Sequence, residues 1–379
     1  FPSDKASGFK TRIPIHRDVL SQIAMPTHER PAGVSSIELF FDLVFVFVIT
    51  QITQLVEHAH GTMDFFRALL VLIPIWWMYA GYAWLTNIAE ASVRMRLVLI
   101  AAMAGFLVMA IVIPSVFGAG ALTFGITYLV IVVIHLGAFA LESKEVPAKA
   151  ILGIAPFNLG ASALLIGAAF AGEQWATAMF LLASLLFVGA TIFRRERPFT
   201  LNAHHFAERH GLVILIVLGE SVIAIALGAI GSDHSVRGQW IVGVVLSLVL
   251  VASMWWNYFD REDKRAADRL VAAPPEKRAR MGLLGYWYAH LALIAGIIFV
   301  AAGIRQLLEG HEGMGLLAGG MVLFMLGDVF FRWVMGMSPI TVRLLGAAIA
   351  ASLGGIGSHW GAFASLAAIA AVAIAVIAV

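Results

Sequence analysis

The chain has 379 residues, 61% hydrophobic and 13% charged, whereas a water-soluble domain is about half apolar and about a quarter charged. So few charges cannot cover a water-exposed surface of this size, and the formal net charge of +2 leaves no basic excess for nucleic acid. The absence of cysteine excludes disulfides, thiolate metal sites and a cysteine nucleophile.

Mean hydropathy is +0.91, and apolar runs long enough to cross a hydrocarbon core about 30 Å thick recur along the chain. A polar, basic stretch over residues 1–33 comes first, without the short apolar core and small-residue cleavage site of a secretion signal. Six spans follow, near 39–57, 66–86, 96–117, 120–141, 149–170 and 174–193. A second six lie near 210–230, 239–259, 283–304, 314–335, 340–357 and 361–379. Turn formers such as Gly118–Gly120, Gly231–Asp233 and Gly310–Gly313 separate many of them. Pro74, Pro114 and Pro156 fall in or near spans, where membrane helices accept them as kinks. The expected fold is an all-α polytopic membrane protein with about twelve transmembrane helices.

Charge sets the direction. With twelve spans, 22 of the 25 lysines and arginines fall on one side, leaving Arg67, Arg237 and Arg305 on the other. The positive-inside rule puts the rich side, and both termini, in the cytoplasm.

The tetrad Trp76-Trp77-Met78-Tyr79 recurs as Trp255-Trp256-Asn257-Tyr258. Each closes the second helix of a six-helix set, and a charged stretch follows each, Glu90–Arg96 and Asp260–Arg269. Two six-helix repeats are expected, over 34–195 and 196–379, pointing the same way. The tetrads themselves are expected in the aromatic belts at helix ends.

Ionisable groups inside a span are costly and mark function by default. In the first helix Asp42 lies about 40° around from Glu38, Thr53 about 60° and Thr50 about 120°. The seventh helix echoes this, with His205 about 60° and Glu220 about 120° from Glu208, and Glu220 close to the midplane. His135, His290 and Asp328 complete the buried set. Carboxylates and histidines in this pattern suit a pathway for a small cation or proton. The alternatives are structural: Glu38 and Glu208 at helix N-termini, Asp328 paired with Arg332 one turn on, and the histidines hydrogen-bonded in the core. His204, His205 and Glu208 are candidate metal ligands, but the His-Glu-x-x-His spacing of helical zinc sites is absent. The nearby Arg194-Arg195-Glu196-Arg197 suits anionic lipid headgroups better. No cofactor-binding fingerprint is present.

The segment Glu38-Leu39-Phe40-Phe41-Asp42-Leu43-Val44-Phe45-Val46-Phe47 resembles the signature first helix of the bacterial low temperature requirement A family. His205-Phe206-Ala207-Glu208-Arg209-His210-Gly211-Leu212, with Leu218-Gly219-Glu220-Ser221, is similar to its second hallmark, and Trp255–Asp260 and Tyr288-Ala289-His290 to later motifs. The resemblance implies a bacterial inner-membrane protein. It marks Glu38, Asp42, His205, Glu208, Arg209, Gly219, Glu220 and His290 as family-pattern positions without assigning them reactions. A looser likeness of layout links the chain to the lysosomal potassium channel family. That family's Phe-Ser-Asp motif meets Phe40-Phe41-Asp42 in the first half but His210-Gly211-Leu212 in the second.

The expected function is transport of a small cation, or of a solute coupled to protons, among membrane lipids. The alternatives are a membrane-embedded enzyme or lipid-binding protein using His204–His210, and a non-transporting membrane sensor. Oligomeric state is not readable from the sequence.

Overall fold

The computed structural model describes residues 33–89, 92–142, 148–192, 201–231, 239–260, 262–357 and 359–378. The basic stretch over 1–32, residues 193–200 with their arginines and residues 232–238 lie outside them. All regular structure among the described residues is helical, as hydrocarbon requires when backbone groups must be satisfied within each segment.

Six long helices come first: α1 (Ser36–Glu57), α2 (Thr62–Ile88), α3 (Val93–Val112), α4 (Ala121–Glu142), α5 (Ala148–Ala168) and α6 (Gly172–Ile192). Helix α1 opens where the Glu38 carboxylate accepts from both the backbone N–H and the hydroxyl of Ser35, at 2.9 and 2.7 Å. These bonds fix the start of the helix. Helix α3 opens on Ser92, whose side chain accepts from Met95 N–H at 3.0 Å, and passes into a 3-10 turn at Ile113–Ser115 around Pro114.

Helices α7 (Ala203–Gly231) and α8 (Gln239–Phe259) follow. Residues 261–280, expected as a charged loop, instead contain α9 (Glu262–Ala272) and α10 (Pro275–Met281). Ala266 and Leu270, four apart on one face of α9, are buried in a small cluster with Leu201, Phe206, Phe331 and Met335. That single apolar stripe explains why a polar segment is helical. A π-helical segment, Gly282–Ala289, joins α10 to α11 (His290–Leu308). Last come α12 (Met314–Met335), α13 (Thr341–Ile356) and α14 (Ala362–Ile377). Helix α12 stops at Gly336, which takes the left-handed conformation (φ 65°) that a helix C-terminus favours.

Nine of the described spans are long and apolar enough to cross a membrane, and three shorter apolar helices accompany them, at 153–168, Thr341–Ile356 and Ala362–Ile377. Their outward faces carry large apolar side chains, among them Phe40, Leu43, Val93, Leu97, Ile111 and Ile230. Such a surface would aggregate in water and is what lipid covers. The chain is a multi-pass membrane protein.

The neighbour relations repeat. In the first six helices α1 packs on α3, then α3 on α4, α4 on α5, α5 on α6, α6 on α2 and α2 on α1. In the second set α7 packs on α11, then α11 on α12, α12 on α13, α13 on α14, α14 on α8 and α8 on α7. Between the sets, α1 and α2 meet α7 and α11. The span containing α11 and helix α2 are the most enclosed, each 78% buried, and mark the middle of the bundle. Backbone proximity builds the α11–α12 seam. A Cβ on Gly296 would stand 2.5 Å from Phe324 N, and one on Gly320 2.5 Å from Val300 N. Small residues admit this approach in membranes, where packing replaces the hydrophobic effect.

Candidate functional site

Helices α1 and α7 run parallel. Glu38 faces Arg209 at 2.7 Å, and twelve residues further along α1 Thr50 faces Glu220 at 2.6 Å. The polar residues of α1 therefore meet partners at successive depths. Nineteen residues separate Glu38 from Glu57, about 28 Å along the axis at a rise of about 1.5 Å per residue.

At the Glu38 end, Glu38 and Asp42 share one face of α1, His205 and Arg209 one face of α7, each pair four residues apart. Arg209 donates to Glu38 Oε1 (2.7 Å), Asp42 Oδ1 (3.2 Å) and Thr86 Oγ1. Tyr79 OH donates to the same Asp42 oxygen at 2.5 Å. The guanidinium carbon lies 5.5 Å from the ring centre of Phe41, a cation–π contact. Asn87 Nδ2 lies 3.3 Å from His205 Nδ1, and His205 Nε2 3.3 Å from Glu38. The amide can only donate there, so Nε2 is left to donate to Glu38. Asn87 also bonds Asn202 through both backbone groups, at 2.9 and 3.0 Å, which pins the start of α7. Arg209 and Asp42 are fully buried and Glu38 is 5% exposed. Among the described residues, Asp42 Oδ2 and Arg209 Nε have no hydrogen-bond partner. One guanidinium thus serves two carboxylates.

An apolar layer follows. Phe45 packs on Tyr79 and Trp76, with ring centres 4.3 and 6.1 Å apart, and Trp76 meets His210 edge-on. Beyond it, Thr50 Oγ1 lies 3.1 Å from Val46 O and 2.6 Å from Glu220 Oε2. Glu220 is 3% exposed and, among the described residues, has no salt bridge.

At the far end of α1, Glu57 Oε2 accepts from Arg305 Nη1 at 2.7 Å, and Arg305 Nε donates to Glu309 at 2.9 Å. Gln306 donates to the Glu57 carbonyl at 2.8 Å.

The remaining expected residues fall elsewhere. Asp328 accepts from Arg332 (2.9 Å) and Arg343 (3.0 Å), and Arg343 also reaches Asn257 on α8. These bonds join α8, α12 and α13, not α1 or α7. His135 is enclosed by Tyr82 and Phe139, its ring against Gly81. His290 accepts from Tyr258 OH at 2.8 Å and approaches the Gly285 carbonyl of the π segment at 2.9 Å. Glu208 and His204 are exposed, as is Gly219, which meets nothing within 4 Å. His205 turns to Glu38 instead, and among the described residues no group of three or more metal-ligating side chains converges. The first tetrad is not in an interfacial belt. Trp76 and Trp77 are buried, Trp76 Nε1 donating to the Trp287 carbonyl and Trp77 Nε1 to Asn158, at 2.9 and 2.8 Å. Trp255 and Trp256 are exposed.

Three participants carried no sequence emphasis. Tyr79 had only its place in the tetrad, Thr86 sits in an apolar helix, and Glu57 lies at a helix end, where a charge is unremarkable. Arg305 does carry a signal, because the expected twelve-span topology leaves only three lysines and arginines on the side it assigns to Arg305.

The helices and this buried polar seam define an integral membrane protein with ion pairs buried between its helices. Residues 33–378 match the bacterial low temperature requirement A protein (LtrA) family, and the chain belongs to that family. It is also 26% identical over 317 residues to an uncharacterised protein of Rhizobium meliloti (strain 1021), covering 78% of this chain and 76% of that one.

Proposed function

We propose that the chain moves a small cation, or a solute coupled to protons, along the seam between α1, α7 and α11, and that the structure holds a closed conformation. Glu220 carries this reading. Glu38, Asp42 and Glu57 each contact an arginine, whereas Glu220, in the middle of α7, has the Thr50 hydroxyl and, among the described residues, no salt bridge, Arg305 acting on it only from beyond contact distance. A buried carboxyl group with no cation in contact is an expense that a purely structural bundle avoids by using an apolar residue.

The hydroxyl gives the group a defined chemistry. Thr50 has one proton and two acceptors in reach, Val46 O and Glu220 Oε2. Both bonds are made in full when Glu220 carries a proton and donates it to Thr50 Oγ1, which then donates to Val46 O. Loss of that proton leaves a carboxylate able to receive a cation. In this reading the Glu38–Arg209–Asp42 cluster closes the seam at one end and the Glu57–Arg305 pair closes it at the other.

The repeated neighbour order supports two duplicated six-helix units, over 34–195 and 196–379, with twelve crossings of the membrane. Arg94, Arg96, Lys264, Arg269, Lys277, Arg278 and Arg280 at the Glu38 end support a cytoplasmic location for that end and for both termini, in a bacterial inner membrane.

Flux in proteoliposomes tests the reading. Wild-type protein is expected to pass H⁺, Na⁺ or K⁺, and Glu220→Gln to lose most of that flux at equal amounts of folded protein. A wild type passing none of the three, or an unchanged variant, contradicts it.

A further inference from the structure

A cavity of about 730 Å³ opens at the Glu57 end, between the α1–α2 turn, α11, α12 and α13. It is a half-open cleft that follows α12 as far as Leu323, nine residues in, about 14 Å along the helix at about 1.5 Å per residue. Its size falls within the range of about 300–1,000 Å³ typical of small-molecule sites.

Two classes of glycine on α12 show that this space is built in. Gly313 and Gly320 press against the backbone of α11, where a Cβ would stand 2.5 Å from Gly303 O or Val300 N. Gly315 and Gly319 line the cavity, and a Cβ on either would meet nothing within 4 Å. No helix packing requires them. What they do is leave room, at the loss of helix propensity that glycine entails.

Charge selects the occupant. Among the described residues at this end both arginines are already committed, Arg67 to Glu173 and Asp64, and Arg305 to Glu57 and Glu309. Glu312, on the cavity wall, has no ion pair among the described residues. Below it lie Phe65 and Phe299, with ring centres 5.8 Å apart. A carboxylate above an aromatic pair complements a positive charge on an apolar body, through Coulomb attraction at the rim and cation–π contact below.

We propose that this cavity is a binding site for an organic monocation with an apolar body, held by Glu312 and by the Phe65–Phe299 pair. The site does not depend on the transport reading, because binding requires no movement of Glu220.

The probe is tetraphenylphosphonium, and the control is tetraphenylborate, of the same shape and opposite charge. Both are measured by equilibrium dialysis against the full chain in nanodiscs, with empty nanodiscs subtracted. Saturable binding of the cation and not of the anion is expected. Glu312→Gln should weaken it by roughly three- to fivefold, as for a partly exposed charge pair. Gly319→Leu should abolish it, and Gly315→Leu should weaken it. Both fill open space, so the variants are expected to stay monodisperse. Glu220→Gln should bind as the wild type does, so loss of flux and loss of binding are separable. Equal binding of the two ions, indifference to Gly319→Leu in a folded variant, or no saturable binding overturns the proposal.

Discussion

Replacing Arg209 with leucine tests the architecture of the seam. The variant deletes hydrogen bonds to Glu38, Asp42 and Thr86 and leaves two buried carboxyl groups without their cation. Each charged hydrogen bond is worth about 1.5–3 kcal/mol, so the two to carboxylates set a scale of about 3–6 kcal/mol. Direct removal of one member of a buried ion pair gives a comparable figure, about 3–5 kcal/mol. Relief is available, because each carboxyl group can take a proton at about 1.4 kcal/mol per pH unit between its ordinary pKa and neutrality. At neutrality that relief costs about 4 kcal/mol for each group, so it caps the penalty without lowering it, and the loss is expected at about 3–6 kcal/mol. The triple variant Arg209→Leu, Glu38→Gln, Asp42→Asn removes the charges together and should recover most of the loss, since uncharged replacements of buried ion clusters are often neutral. Unfolding by detergent titration, with the single and triple variants compared in one cycle, measures both numbers. A single variant within about 1 kcal/mol of wild type, or a triple variant no better than the single, refutes the view that Arg209 is held by charge compensation.

Other outcomes follow from packing and closure. Gly296→Leu or Gly320→Leu drives a side chain into backbone 2.5 Å away, so neither should give a monodisperse peak on size-exclusion chromatography, whereas Gly219→Ala, which meets open space, should. Arg305→Gln loosens the Glu57 end. Because the chain has no cysteine, a single Ile49→Cys, one residue from Thr50, reports its effect. Labelling by a membrane-impermeant thiol reagent should quicken several-fold in the Arg305→Gln background, and an unchanged rate argues against a closing role for Arg305.

Much of this molecule is written in local patterns. Apolar length alone announces α1 to α4, and the four-residue spacing of Glu38 with Asp42 puts both on one face before any partner is known. The Asp328–Arg332 pair, one helical turn apart, is equally local. Its second arginine, Arg343, comes from the next helix. The same limit hides the seam. Thr50 and Glu220 stand 170 positions apart, Glu38 and Arg209 171, and no periodicity links them. Helix α9 was legible in principle from Ala266 and Leu270, but its charge density outweighed a two-residue stripe. The first tetrad shows the converse problem. Tryptophan near a helix end reads as an interfacial anchor, yet tertiary contact with Trp287 and Asn158 takes Trp76 and Trp77 inside, while the same letters at Trp255 and Trp256 remain exposed.

In the proposed transport cycle Glu220 gives up and regains its proton. Infrared difference spectroscopy reads this directly, with the Glu220 carboxyl band assigned by its absence in Glu220→Gln. Transfer of reconstituted protein to D₂O should shift that band, and addition of the transported cation should deplete it. A band that neither shifts in D₂O nor responds to any cation would mean a permanently sealed carboxyl group, and would contradict the account.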